Sequence, residues 1–270
     1  MKPVADALGV SRSHLSANRA APPNRRGPYC KVDDEALLAR IRALVQERST
    51  YGYRRVTAML NRQDGEEPVN HKRTYRVMNA AGLLLPRYTG RPERPHVGRV
   101  ITLQSDMRWC SDGFEIRCWN GERVHVVFSL DCCDREAIAW RGQTAHVCGQ
   151  DIQDLMAMSI EARCGGTHTP RPVEWLSDNG PPYTADETRS FGRSHGLVVR
   201  NTPSYSPESN GMAEAFVKTF KRDYVYVSDV KDAETVLRQL DGWFRDYNEH
   251  APHKGLKMLS PRQFRRGNVD

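Results

Sequence analysis

At 270 residues with a formal net charge of +7, the chain is long enough for one domain with a full core and a smaller one beside it. No stretch approaches the roughly 18 apolar residues of a membrane span, and the N-terminus lacks the apolar run of a signal peptide, which sets the expectation of a cytoplasmic protein without a membrane partner. Seven cysteines, an odd number without CxxC spacing, form no zinc-ligand pattern with the nine histidines, and they are expected to be reduced and mostly in the core.

Charge divides the chain. Residues 1–103 hold 19 Lys/Arg against 9 Asp/Glu, whereas residues 104–270 hold 21 against 24. A basic surplus of that size draws a polyphosphate through counterion release, so the front part is the expected DNA holder; a solvated basic surface is the alternative.

Residues 1–19 read as a short apolar helix, a turn at Gly9 and a second helix capped by Ser11. This is a partial helix-turn-helix, whose later helix enters the major groove. The earlier helix of such a unit is not supplied, so the frame is expected to start inside a longer product or to have lost its front end, with an upstream-frame helix-turn-helix protein as a candidate partner. Residues 20–31 form a Pro/Gly linker. A helical DNA-binding module is expected over residues 32–86. Its first helix places Leu37, Leu38, Ile41, Leu44 and Val45 at helical spacing, and its second opens in the run 51–56 with Val56, Met59 and Leu60 inward. The third follows Asn70 as cap, turns His71, Lys72, Arg73 and Arg76 outward and Tyr75, Val77 and Met78 partly inward, and stops at Gly82. Lys72, Arg73, Arg76, Arg54 and Arg55 are the candidate DNA contacts here; an ordinary solvated helix face competes with that reading. Residues 87–103 form a basic linker able to lie along a phosphate backbone.

From residue 104 the periodicity changes. Strands are expected at 108–114, 123–130 and 137–141, then a helix at 147–163, a strand at 173–176, a helix at 185–195, a strand at 197–201 and a helix from about residue 212. This βββαβαβα order describes three antiparallel strands with parallel additions and helices on both faces, an α/β three-layer core over residues 104–270. A final helix at 235–247 carries Val236, Leu237, Leu240, Trp243, Phe244 and Tyr247 as a stripe that closes the core; a dimer contact is the other reading of it.

Three acids stand out: Asp112 in WCSDGF, Asp178 in WLSDNG and Glu214 in NGMAEAF. In the expected sheet Asp112 lies mid-strand, Asp178 at the carboxyl end of the neighbouring parallel strand, and Glu214 on a helix leaning over both. Hydrolysis of a phosphodiester by two magnesium ions about 3.5–4 Å apart needs this kind of hard oxygen donor and no histidine or cysteine. Singly, each acid also fits a turn or a helix first turn. Asp131, Asp134 and Glu136 are rivals, but they surround a turn. Lys218 and Lys221 share a helix face with Glu214 and Arg222 borders it, so all three are candidates to hold a DNA end; Asn179 is a supporting residue, with a plain turn role as alternative. Ser209 and Asn210 are the expected caps of the Glu214 helix.

These motifs carry a resemblance. YGYRRV (51–56), RWCSDGFE (108–115), LDCCDREA (130–137), VEWLSDNG (173–180), SPESNGMAEAFVKTFKRDYV (206–225) and YNEHAPHKGLKMLSPRQF (247–264) resemble the orfB-type transposases of bacterial insertion sequences, within the DDE transposase and retroviral integrase superfamily. The resemblance implies an RNase H-like core with a mixed five-stranded sheet of order 3-2-1-4-5. It further implies that Asp112, Asp178 and Glu214 are catalytic and bind two Mg2+ ions, with Mn2+ as substitute, and that Lys221 contacts the element terminus. The implied partners are DNA, as terminal repeats and target, and further copies of the chain assembled on it in the nucleoid. The implied reaction cleaves the element ends, frees a 3′ hydroxyl and joins it to DNA, by way of a circular intermediate. A DNA-binding regulator, an inactive relic and a structure-selective nuclease of the same fold are the alternatives.

Overall fold

Apolar residues one helical turn apart bring three short helices into a small core. The computed structural model describes residues 2–11, 31–63, 67–86, 102–201 and 211–267, beginning with α1 (Lys2–Ala7), α2 (Asp34–Glu47), α3 (Tyr53–Leu60) and α4 (His71–Ala80). Leu37, Ile41 and Leu44 of α2 meet Val56 and Leu60 of α3 and Val77 and Met78 of α4, with Tyr51 among them. Each such side chain contributes about 1.5–3 kcal/mol when fully buried. Asn70 caps α4 by accepting from the Lys72 N–H at 2.9 Å, and Gly82 at φ +69° turns the chain away beyond it. Tyr75, expected partly inward, is 46% exposed: Thr74 takes the buried position, and Tyr75 lies edge-on to the Tyr53 ring at 5.1 Å. Of the partial helix-turn-helix only α1 and the turn at Gly9 are described; its Ser11-capped helix and most of the linkers at 20–31 and 87–103 lie outside the described residues.

The core sheet has the order β3-β2-β1-β4-β5. Its elements are β1 (Arg108–Arg117), β2 (Arg123–Asp131), β3 (Ala137–Gln143), α5 (Gly149–Cys164), β4 (Val173–Ser177), the single turn α6 (Pro181–Thr184), α7 (Asp186–Ser194), β5 (Leu197–Asn201), α8 (Gly211–Asp223), α9 (Ala233–Glu249) and α10 (Pro261–Arg266). β1, β2 and β3 are antiparallel, and β4 and β5 extend the sheet in parallel. One face packs Trp109, Val127 and Trp175 against Ile152, Leu155 and Met156 of α5; the other packs Cys110, Phe114 and Phe128 against Phe216 and Phe220 of α8 and Phe244 of α9. These are the three layers. Gly142 lets α9 come close, since a Cβ there would stand 2.6 Å from the Leu240 side chain.

β1 runs three residues further than the sequence reading, because it pairs with β2 all the way from Trp109↔Asp131 to Arg117↔Arg123. It pairs with β4 only over Arg108–Cys110. Among the described residues its second half therefore has an open edge on that side. Of the six described cysteines, Cys110 and Cys118 alone are buried and Cys148 is exposed, so the thiols are less internal than expected.

The helical module is fastened to the core by charge. Arg48 grips both Asp246 oxygens at 2.5 and 2.7 Å; Thr50 and Arg55 donate to Asp223 at 2.7 and 2.8 Å; and Arg62 donates to the carbonyls of His250 and Met258. Arg55, a candidate DNA contact, serves as a strut between module and core, with its guanidinium 3.8 Å from the Tyr51 ring centroid.

Candidate active site

Parallel pairing leads the chain to the first two acids. The β1–β4 register matches Arg108 with Glu174 and Cys110 with Leu176; Asp112 follows two residues later within β1, and Asp178 immediately after the end of β4. Side chains alternate along a strand, so Asp112 shares the face of Cys110 and Phe114. That face is the one α8 covers. Glu214 stands in the first turn of α8 between Ala213 and Phe216, both buried, and Phe216 lies 4.4 Å from the Phe128 ring, which fixes the helix over the sheet.

Electrostatics tie the three together. Burial pushes the Asp112 carboxyl up to about 6; the charges of Asp178 and Glu214 push the same way, and the Gly113 N–H, donating to Asp112 Oδ1 at 2.8 Å, opposes them. Asp112 thus feels both other acids. Their side chains do not yet grip a common point: among the described residues no three His, Cys, Asp or Glu side chains are gathered tightly enough to hold an ion. Glu214 is half exposed, with Lys218 Nζ 3.9 Å from its Oε2. Two carboxylates at 4 Å repel by about 4 kcal/mol at an effective dielectric near 20, so this open arrangement is the one expected of like charges. The donor set, carboxylate oxygens at the end of a ladder, suits a hard divalent cation.

A supporting layer that sequence reasoning missed holds the second acid. Asp178 Oδ1 accepts from the Gly180 N–H at 3.0 Å; Asn201 Nδ2 donates to the Asp178 carbonyl at 2.8 Å, and Arg189 donates to Asn201 Oδ1 at 3.1 Å. Next to Asp112 in β1, Ser111 Oγ meets the Tyr183 hydroxyl at 3.2 Å, and burial drives that phenol upward, keeping it neutral. The available signal was a polar residue, Asn201, closing the apolar strand LVVRN. Asn179 is exposed in the turn after Asp178.

The candidate cations separate. Lys221 lies over the Phe114 ring at 5.5 Å, partly buried, which lowers its pKa while Glu115 raises it. Lys218 is 81% exposed at its side chain. Arg222 turns to Asp223, donating to both oxygens at 2.7 and 2.9 Å, so it braces the end of α8. On the module, Lys72 and Arg54 are exposed, whereas Arg73 and Arg76 are not simply outward: both bind Asp34, at 2.9 and 2.7 Å. The rival acids are structural. Asp134 and Glu136 are buried around Arg163, Glu136 also takes Arg262 and Arg265, and Asp131 accepts the Cys133 and Asp134 N–H groups of the turn. Ser209 and Asn210 lie outside the described residues.

Known proteins match this chain along most of its length. Residues 32–91 match the HTH-like domain, and residues 103–207 and 195–261 match integrase core domains. The chain is 48% identical over 240 residues to the transposase InsD for insertion element IS2A/D/F/H/I/K of Escherichia coli, covering 87% of this chain and 80% of that protein. The InsD transposase for IS2-9 of Escherichia coli strain K12 aligns with the same identity, over 87% of this chain and 78% of its own. Among solved structures, a chain of the simian T-cell lymphotropic virus intasome in complex with PP2A regulatory subunit B56 gamma superposes with a TM-score of 0.51, covering 84% of this chain and 74% of that one at 14% identity. That is a likeness of fold.

Proposed function

The chain belongs to the insertion-element transposases with an integrase core, DDE-type polynucleotidyl transferases, and on that premise we propose that Asp112, Asp178 and Glu214 are its catalytic acids. The observation that carries this is that the charges of Asp178 and Glu214 both bear on Asp112, where β1 and β4, paired in parallel as far as Cys110 and Leu176, lead to the first two acids on the face that α8 covers. These three carboxylates would hold the divalent cations, two magnesium ions or manganese in their place. Bound there, the metal supplies activation of the attacking oxygen and neutralisation of the leaving one.

The chain's own residues do the rest. β1 holds one carboxylate mid-strand, the turn leaving β4 holds the second, and the first turn of α8 supplies the third. Asn201, through the Asp178 carbonyl, limits how far the second acid can drift. Lys218 and Lys221 place the phosphates of the element end beside the acids. In the first step water breaks the phosphodiester and leaves a 3′ hydroxyl; in the second that hydroxyl attacks a target strand in the same pocket, forming one P–O bond as another breaks. Exposed Lys72 and Arg54 hold flanking duplex, and Arg73 and Arg76 do so only by sharing their charge with Asp34. Several copies assemble on the DNA, in the cytoplasm with the nucleoid, and an upstream-frame helix-turn-helix protein is a candidate partner. No described helix is long and apolar enough to cross a membrane.

Asp178→Asn and Glu214→Gln should each abolish magnesium-dependent cleavage of DNA bearing the element end while leaving its binding within severalfold. Undiminished cleavage by either variant would sink the assignment. A protein that cleaves but never joins the 3′ end to a second duplex would be a nuclease.

A further inference from the structure

We propose that the cleft at the far end of β1 is a stacking site for an unpaired stretch of DNA strand leading away from the acids, an inference that rests on the transposase reading. The cleft has a volume of about 570 Å³ and is lined by Glu115, Arg117, Trp119, Lys221, Tyr226 and Val230, among others. A volume of this size falls within the usual range for small-molecule sites, roughly 300–1,000 Å³.

Its aromatic residues are unusually placed. Trp119 is 71% and Tyr226 72% exposed, although a core lies a few residues from each. Trp119 is not there through looseness of the backbone: its N–H donates to the Val230 carbonyl at 3.0 Å and the Asn120 N–H to the Lys231 carbonyl at 3.2 Å, so the β1–β2 turn is tied to the segment after α8. Two large rings thus stand at one cleft with their apolar area in water.

Of the charged side chains lining the cleft, Arg117 and Lys221 are positive and Glu115 is negative. The Glu115 carboxylate is itself met by Arg117 at 2.8 Å and, from β2, by Arg123 at 3.3 Å. An exposed aromatic beside cations is the combination that binds single strands, because every base offers a face to stack on and the backbone seeks the charge. Duplex DNA would use the cations alone, since its bases are already stacked.

Position completes the argument. Lys221 sits over Phe114, two residues from Asp112, and β1 has its open edge along this stretch. From residue 112 to residue 117 the strand advances about 17 Å, roughly five nucleotides at the ~3.4 Å stacked rise. A strand held at the acids therefore reaches the rings after a few nucleotides.

The full chain should be tested without metal, so that cleavage plays no part. Anisotropy would compare an element-end duplex with a blunt terminus against the same duplex carrying a single-stranded flank of about six nucleotides that includes 2-aminopurine. The flank should tighten binding and its fluorescence should be quenched. Trp119→Ala and, separately, Tyr226→Ala should weaken binding of the flanked DNA by about 5- to 150-fold and leave the blunt duplex within twofold, while Trp119→Phe keeps most of the preference. Equal losses on both DNAs, or no loss on either, would overturn the stacking site while leaving the transposase reading to its own acid variants. Dissociation of an oligomer by Trp119→Ala with the flank preference intact would overturn it too, assigning the rings to a contact between copies. Absence of binding to either DNA would overturn both readings.

Discussion

Asp134 and Glu136 are buried around Arg163, a side chain only 1% exposed, with N···O distances of 3.0 and 3.3 Å, whereas Asp112 and Asp178 have no guanidinium partner among the described residues. Both sets are acidic clusters of one core, within a few residues of strand ends. The first is answered by arginines built into the fold, including Arg262 and Arg265 from α10, and is thereby a fastening. The second is answered by backbone N–H groups, by one exposed lysine and otherwise by like charge. On the proposed reading the counter-charge of the second set comes from outside the chain, and this difference, more than acidity itself, would separate a binding site from a strut.

The largest effect should fall on the fastened cluster. Removing one partner of a buried ion pair strands the other charge and costs about 3–5 kcal/mol, so Arg163→Met should lower the thermal midpoint by many degrees. Asp178→Asn should cost nothing or stabilise slightly, because it relieves repulsion on Asp112. Divalent magnesium should raise the midpoint of the parent chain, the stabilisation being about 2.7 kcal/mol at a hundredfold excess over its Kd, and fail to raise that of Asp178→Asn. Calorimetry that finds the two variants equally damaged, or both equally stabilised by metal, would erase the distinction.

Much of this was legible beforehand. Apolar periodicity located every strand of the sheet and the helices on its faces, and β5 matched to the residue, because strands of this core are short apolar runs bounded by turns. The three acids stood out in the sequence for another reason: each sits in its own local motif, WCSDGF, WLSDNG or NGMAEAF. The carboxylate partners of Arg55, Arg73 and Arg76 were not legible, because an arginine on a helix reads as outward until its partner is known, and for Arg55 that partner, Asp223, lies 168 residues away. Trp119 and Tyr226 carried no signal at all, since an aromatic in a turn is ordinarily covered.

A middle case tests the comparison by pH. Arg48 and Asp246 form a half-buried pair that docks the module, worth about 1.5–3 kcal/mol as charge-assisted hydrogen bonds. Burial alone would raise the Asp246 pKa, yet the bonds from Arg48 and Tyr224 outweigh it and hold the carboxyl below its ordinary 3.8. A depressed folded pKa means the contribution is complete above the unfolded value and is lost as pH falls through the folded one. The difference in thermal midpoint between the parent and Arg48→Met should therefore be constant from pH 7 to about 4 and shrink below it. A difference that persists unchanged at pH 2.5 would show that the pair docks the module by shape alone.

Lys218 gives the smallest and sharpest contrast. Its pair with Glu214 is exposed, four residues apart on a helix and 3.9 Å long, and such pairs are worth about 0.3–0.5 kcal/mol. Lys218→Ala should therefore leave the thermal midpoint within a degree or two, unlike any change at Arg163. If its work lies with DNA, the same variant should weaken binding of element-end duplex and reduce the slope of log affinity against log salt by about 0.9, the value for one phosphate contact, and Lys218→Arg should restore it. An unchanged salt slope would make Lys218 a local counter-ion of Glu214, the partner the acidic site was otherwise found to lack, and would move that site part of the way toward the fastened kind.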